Sequence, residues 1–120
     1  MDESTWYRYL VLLDGIKNDS GLVVPVERIA YTFHTFSLHD EHVYEPTGDV
    51  TFISPNPDTQ SLEQGVERMI DAVLHIKVTA RVLNVQQAEQ LLASTDDTTV
   101  VYAGFTRQRN DIQSLIESTR

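Results

Sequence analysis

The chain of 120 residues contains no cysteine. Disulfides, thiolate metal ligands and thiol nucleophiles are therefore excluded, and we expect packing to supply the stability. Positive charge is also scarce, because nine Lys and Arg residues stand against eighteen Asp and Glu residues, for a net charge of −9. This charge repels phosphate backbones and anionic lipid surfaces, so we expect neither direct nucleic-acid binding nor membrane binding.

Long apolar runs and targeting signals are absent too. The longest uninterrupted aliphatic run is Leu10–Leu13, about a fifth of the roughly 20 residues that a membrane-spanning helix needs. The acidic start, Met1–Ser4, has neither the basic region nor the apolar stretch of a secretory signal. We therefore predict an intracellular, cytoplasmic protein.

Glycine-based and serine-based catalytic motifs are missing from the chain. The five glycines stand apart at positions 15, 21, 48, 65 and 104 and form no phosphate-binding pattern. No Gly-x-Ser-x-Gly sequence is present. We expect no cofactor, and we interpret the protein as non-enzymatic.

The length predicts one α+β domain over residues 1–120, with a single small, mostly antiparallel sheet and helices packed on one face. The second half of the chain carries the clearest patterns. Helical spacing predicts a helix over 60–73, capped by Asp58 or Thr59, with Glu63, Glu67 and Asp71 facing outward. Strict alternation predicts an antiparallel strand over 75–82.

Further elements follow from turn and cap residues. A short strand is expected over 49–54, ended by Pro55 and Pro57. Asn84 is expected to cap a helix over 85–93. A strand over 98–103 and a closing helix that starts at Thr106 or Asn110 complete the prediction.

Two segments in the first half of the chain fit the periodicity of a helix and also that of a strand. Residues 5–16 place apolar side chains on one helical face, with Ser4 or Thr5 as a cap, and we favour a helix over a strand. Residues 28–38 also fit either period, but their β-branched and aromatic content favours a strand. Phe33 and Phe36 are predicted to be core in both cases. Residues 39–48 are predicted to be a polar connection.

The densest polar group lies around that connection. His34, His39 and His42 stand among several carboxylates, and imidazole and carboxylate are ligands of zinc and non-haem iron. These histidines are weak metal candidates, because the segment has the composition of a solvated surface loop. We favour exposed histidines in an acidic loop and expect no metal.

Candidate interface residues come from aromatic and basic clusters. Trp6, Tyr7 and Tyr9 form an aromatic group whose types are frequent at binding hot spots, with core packing as the competing interpretation. The basic candidates are Lys77 and Arg81, on the outer face of the strand over 75–82, and Arg107 and Arg109, which form a basic spot near the carboxyl end. That strand can pair with another chain at a sheet edge, or its basic residues can discourage such pairing.

These features favour an acidic protein-interaction or assembly subunit, of the kind that a virus or mobile element encodes, whose partner is another protein or a second copy. A first alternative is an acidic inhibitor that occupies the basic groove of a nucleic-acid-binding enzyme. A second alternative is a small metal-dependent enzyme that uses His34, His39 and His42. The first alternative requires the carboxylates to lie along one surface.

Overall fold

The computed structural model describes residues 5–36 and 38–119. The elements in these ranges follow one another as β1 (Tyr7–Asp14), β2 (Lys17–Asn18), β3 (Gly21–Leu22), α1 (Val26–Thr35), β4 (His39–Tyr44), β5 (Asp49–Ser54), α2 (Thr59–Leu74), β6 (Thr79–Asn84), α3 (Val85–Ala93), β7 (Thr99–Tyr102), β8 (Phe105–Gln108) and α4 (Arg109–Ser118). The main sheet has the order β4-β5-β1-β6 and is antiparallel throughout. The predicted α+β class is confirmed.

Strand β1 lies inside the sheet and is buried on both faces. Tyr9, Val11 and Leu13 enter one apolar core, whereas Leu10 and Leu12 enter a second core on the opposite face. A strand covered on both sides has an unbroken apolar run instead of an alternating one. The predicted helix over 5–16 is therefore wrong, and Ser4, proposed as its cap, lies outside the described residues.

Helices cover both faces of the sheet. The first core receives side chains from α1 and α2, and the second receives them from α3, α4 and the β7–β8 hairpin. The sequence pattern indicated helices on one face only, because it did not show that β1 buries both of its sides. None of the helices in the described ranges has the length and apolar character needed to cross a bilayer.

Helix α1 occupies most of the segment in which a strand was predicted, so that prediction is wrong. Ile29 and Phe33, one helical turn apart, are fully buried and anchor the helix on the first core. Pro25 stands at its N-cap position, where the missing N–H of proline costs no helical hydrogen bond. Burial of this amphipathic face outweighed the strand preference of the β-branched and aromatic residues.

The caps predicted for α2 and α3 at Asp58 and Asn84 are confirmed. Asp58 accepts hydrogen bonds from the backbone N–H groups of Gln60 and Ser61 at the start of α2. Asn84 and Gln87 form a reciprocal capping box at the start of α3. Strand β6 begins at Thr79, later than predicted, because α2 ends in a left-handed residue and residues 75–78 form the connection.

Strands β4 and β8 also differ from the prediction. The polar connection expected over 39–48 contains the edge strand β4, whose exposed positions explain its polar composition. Strand β8 was not predicted, and the closing helix starts at Arg109 instead of Thr106 or Asn110. Ala103 and Gly104 both have positive φ and form the tight turn between β7 and β8.

Candidate functional site

The two outer strands of the main sheet, β6 and β4, are treated differently by the fold. On β6, Ala80 N–H donates to Glu67 Oε2 at 2.8 Å and Val82 N–H donates to Glu63 Oε2 at 2.9 Å. Both glutamates come from α2, so a helix of the same chain supplies the acceptors that a neighbouring strand would otherwise provide. The edge that the sequence suggested for pairing with another chain is closed in this way.

Strand β4 lacks hydrogen bonds of this kind within the described residues, although α1 packs beside it and His34 of α1 contacts Glu41. This strand is the outermost one at the other side of the sheet, and within the described ranges no strand pairs with its outer side. No side chain of the described residues plays the part there that Glu63 and Glu67 play on β6. A register shift between His39 and His42, with Asp40 at a φ of 53°, bends the strand near its start.

The alternation of the ladder identifies a backbone group of β4 that faces outward. Leu13 N–H points toward β5, since it donates to Asp49 Oδ1 at 2.9 Å, and Val11, two residues earlier, points the same way. Its partner Val50 therefore faces β1 and turns away from β4. Val43, paired with Val50, consequently directs its N–H and C=O away from the sheet.

Two exposed aromatic residues lie near the amino-terminal end of β4. Trp6 is 44% exposed, and its ring meets that of His39 edge to face with centroids 5.1 Å apart. Phe36 follows the last residue of α1 and is 47% exposed, so its predicted place in the core is wrong. Both aromatic side chains are therefore accessible to solvent near the start of β4.

An open cleft lies beside the other end of β4. It has a volume of about 500 Å³ and is lined by the segment Leu22–Val26 and by Glu45, the residue after β4. Val23 is exposed here, whereas Leu22, Val24 and Val26 are partly buried against the first core. The cleft is thus shallow, with a few aliphatic side chains and a carboxylate at its border and a lining that is more polar than apolar.

The three candidate metal ligands are not gathered into a site. His34 Nδ1 lies 3.2 Å from Glu41 Oε1, which links α1 to β4, while His39 is engaged with the Trp6 ring. His42 is paired with Thr51 across the sheet. Within residues 5–36 and 38–119, no three His, Asp or Glu side chains are arranged to hold a metal ion.

The aromatic candidates divide between core and surface. Tyr9 is 2% exposed, and its hydroxyl donates to the carbonyl of Asn56 at 2.5 Å. Burial, followed by the neighbouring Tyr7 and Asp58, raises the pKa of Tyr9. Tyr7 packs partly buried against the first core. Trp6 is thus the member of this group best placed to meet a partner.

The basic candidates make contacts within the chain. Arg107 forms an ion pair with the buried Asp49, and Arg109 donates to the carbonyls of Leu92, in the last turn of α3, and of Thr95 and Asp97, which follow it. Lys77 lies before β6 instead of on it and bonds Asp71 at 2.8 Å, which raises the pKa of Lys77. Arg81, on β6, donates to the carbonyl of Ala80.

Part of the acidic charge also serves the fold. Asp49, Glu63 and Glu67 accept backbone hydrogen bonds, although the helical pattern had placed both glutamates outward. Asp111 Oδ1 accepts from Tyr44 O–H at 2.8 Å, and this bond raises the pKa of Tyr44. Helical periodicity predicts only that these two glutamates, four residues apart, lie on one polar face of α2. It does not predict that this face lies beside an edge strand and accepts hydrogen bonds from it.

No family model matches this chain, and no curated protein or solved structure is similar to it at a significant level. Function is therefore argued from the geometry of its own residues.

Proposed function

We propose that this protein is a non-enzymatic interaction or assembly subunit that contacts another protein through the outer side of β4. The observation that carries the proposal is the contrast between the two sheet edges. Glu63 and Glu67 close β6, whereas β4 presents outward backbone groups between exposed aromatic residues and an open cleft.

Physical chemistry favours a protein partner at this position. An extended segment that adds to a sheet edge gains backbone hydrogen bonds, and its alternate side chains gain contacts on each face. Trp6 and Phe36 supply exposed aromatic area of the kind that often contributes most to binding energy. Closure of the opposite edge would limit the association to one side of the molecule.

The first test places a photoreactive benzophenone amino acid at position 36, beside β4, or at position 101, on β7. Val101 is the matched control because it is also an exposed apolar residue on a different part of the surface. In cells that express the protein, we expect a discrete crosslinked adduct from position 36 and none from position 101. Equal crosslinking at both positions would contradict the assignment of the surface.

A second test removes the aromatic contacts. We expect Trp6→Ala with Phe36→Ala to weaken association at least tenfold, measured by co-purification of the crosslinked partner or by light scattering if the protein self-associates. The control Tyr31→Ala with Val101→Ala removes two other exposed apolar side chains. A strictly monomeric protein that yields no adduct at position 36 would overturn the proposal.

A further inference from the structure

Resting on the function proposed above, we infer that the occupant of the β4 edge is an extended, basic segment of another protein, and not a second copy of this chain. The segment adds as a strand beside β4 and places an apolar side chain in the cleft formed by Leu22–Val26. Its length, its end contacts and its charge each follow from a separate observation.

Length follows from the dimensions of β4. The strand has six residues, which corresponds to about 20 Å of extended chain. At its start lie Trp6, His39 and Phe36, and at its end lies the open cleft beside Glu45. An added strand of about six residues therefore reaches from the aromatic group to the cleft.

The contacts available to such a segment differ along its length. One residue before the end of β4, the outward N–H and C=O of Val43 can exchange two hydrogen bonds with it. At the far end, the partly buried Leu22 and Val24 offer apolar contacts to an aliphatic side chain. The bend at Asp40 leaves the start of the edge less regular, so side-chain contacts with Trp6 and Phe36 matter more there.

The charge of the β4 surface indicates which charge the partner's segment should carry. Asp40 and Glu45 are exposed on β4 and just after it, and Glu41 lies between them. Arg8 lines a separate pocket with His42 and Thr51 and donates to the carbonyl of Thr119, and His34 lies 3.2 Å from Glu41. Lysine or arginine on the added strand would meet these carboxylates across the edge.

A second copy fits this edge poorly. It would bring another net charge of −9 to the contact, and complementary potentials are what steer association and exclude wrong partners. An antiparallel pairing centred between Asp40 and Glu41 would set carboxylate against carboxylate and histidine against histidine. A basic segment avoids that repulsion.

The experiment uses three synthetic peptides and the full chain. The first is Val-Lys-Val-Lys-Val-Lys-Val, the second replaces each Lys by Glu, and the third is the basic peptide with an N-methyl group on every backbone amide. The third keeps the charge and the side chains but cannot donate backbone hydrogen bonds from either edge. Binding is measured by fluorescence anisotropy at 150 mM salt, and the contact is mapped by amide hydrogen exchange.

We expect the basic peptide to bind at least tenfold more tightly than either of the others and to protect amides of β4 but not those of β6. Asp40→Asn with Glu45→Gln should weaken this binding severalfold, whereas the charge-matched control Asp96→Asn with Glu117→Gln should not. Equal binding of the acidic peptide, equal binding of the N-methylated peptide, or protection away from β4 would overturn the inference.

Different results would contradict this inference and the proposed function. If the purified chain self-associates through Phe36 and β4, the proposed function stands and the inference about the partner is wrong. If position 36 crosslinks a partner whose contacting segment is acidic, the proposed function again stands and the inference about the partner is again wrong. Failure of all association at β4 would overturn both.

Discussion

Arg107 and Asp49 form a two-point ion pair, with Arg107 Nε 2.7 Å from Asp49 Oδ2 and Nη2 2.9 Å from Oδ1. The same two side chains complete the hydrogen bonding of Leu13 beyond the last pair of β1 and β5. Leu13 N–H donates to Asp49 Oδ1, and Arg107 Nη2 donates to Leu13 C=O at 3.0 Å. The pair thereby joins the β7–β8 hairpin to the main sheet.

Replacing Arg107 should therefore destabilise the whole protein. The Asp49 side chain is fully buried, and Arg107→Met leaves its carboxylate without a countercharge, at a cost of about 3–5 kcal/mol in unfolding free energy. Urea denaturation measures this change. The double variant Asp49→Leu with Arg107→Met should cost less than the sum of the two single variants, because the partners act as a unit.

The matched control for the ion pair is Lys77→Met, which breaks the exposed pair with Asp71. We expect its denaturation midpoint to stay close to that of the unmodified protein, since exposed ion pairs add little. A loss equal to that of Arg107→Met would contradict the structural role assigned to the buried pair.

Alanine should have opposite effects at two glycines. Gly48 has a φ of +81°, and a Cβ there would lie 2.6 Å from Ile16 Cγ2 and 2.8 Å from Leu22 Cδ2. Gly48→Ala should destabilise by at least about 1 kcal/mol, since the left-handed conformation alone costs an alanine about that much. Thermal or urea unfolding checks the sign.

Gly65 is the natural comparison, because it lies within α2 and a Cβ there meets nothing within 4 Å. Gly65→Ala should raise the unfolding free energy by about 0.5–1 kcal/mol through its helix preference. The same sign at both positions would be inconsistent with the described backbone.

Removing Glu63 and Glu67 should open the second edge of the sheet. The variant Glu63→Ala with Glu67→Ala leaves the N–H groups of Ala80 and Val82 without their carboxylate acceptors, and an uncovered edge invites pairing with another chain. We expect light scattering to show association that increases with protein concentration.

The charge-matched control for this variant is Asp96→Ala with Glu117→Ala, both exposed. It removes the same charge and should remain at the association state of the unmodified protein. Association of the control to the same extent would assign the effect to net charge instead of to the edge.

Tyr44 provides a prediction about alkaline pH. Its pKa is raised above the ordinary value of 10, chiefly because the hydroxyl must keep its proton to donate to Asp111. A raised pKa in the folded state stabilises the fold fully below the unfolded value, and the contribution is lost as the pH rises through the folded pKa. The relevant window thus begins near pH 10.

We expect Tyr44→Phe to lower the unfolding free energy by about 1 kcal/mol between pH 7 and 9. This difference should shrink above pH 10, where the unmodified protein also loses the bond. Urea unfolding at a series of pH values tests the trend. Tyr31→Phe, on the exposed side of α1, should show no such dependence.

The elements that were predictable from sequence are those whose pattern has one interpretation. The amphipathic spacing of α2 and its Asp58 cap, and the Asn84 cap of α3, agree with what the structure contains. In each case the local preference and the buried face point to the same structure. Strand β5 was equally predictable, since the two prolines after it mark its end.

A helix was predicted over residues 5–16 and a strand over 28–38, and the structure has the reverse for a physical reason. Both segments fit both periods, and only the position in the sheet decides between them. Leu10–Leu13 is apolar without interruption because β1 lies between two helical layers, a fact that no local window contains. For α1, composition favoured the wrong element, because packing overrode propensity.

The candidate site was even less accessible to sequence reasoning. The basic residues chosen as interface candidates looked free, but Asp49 and Arg107 are 58 positions apart and meet only through the fold. The edge was placed on the alternating strand, which α2 closes, while the open edge belongs to a polar segment that resembles a loop. Exposure of Phe36 depends on where α1 ends.

Strand β1 contributes to two cores, since alternate side chains enter opposite layers. Neither layer can come apart while the other keeps its full set of contacts, because both would lose the same strand. The protein should therefore melt in one cooperative transition, despite its two separate apolar clusters. In the native state, the slowest-exchanging amides should be those between Tyr9 and Leu13, exchanging only when the whole chain unfolds.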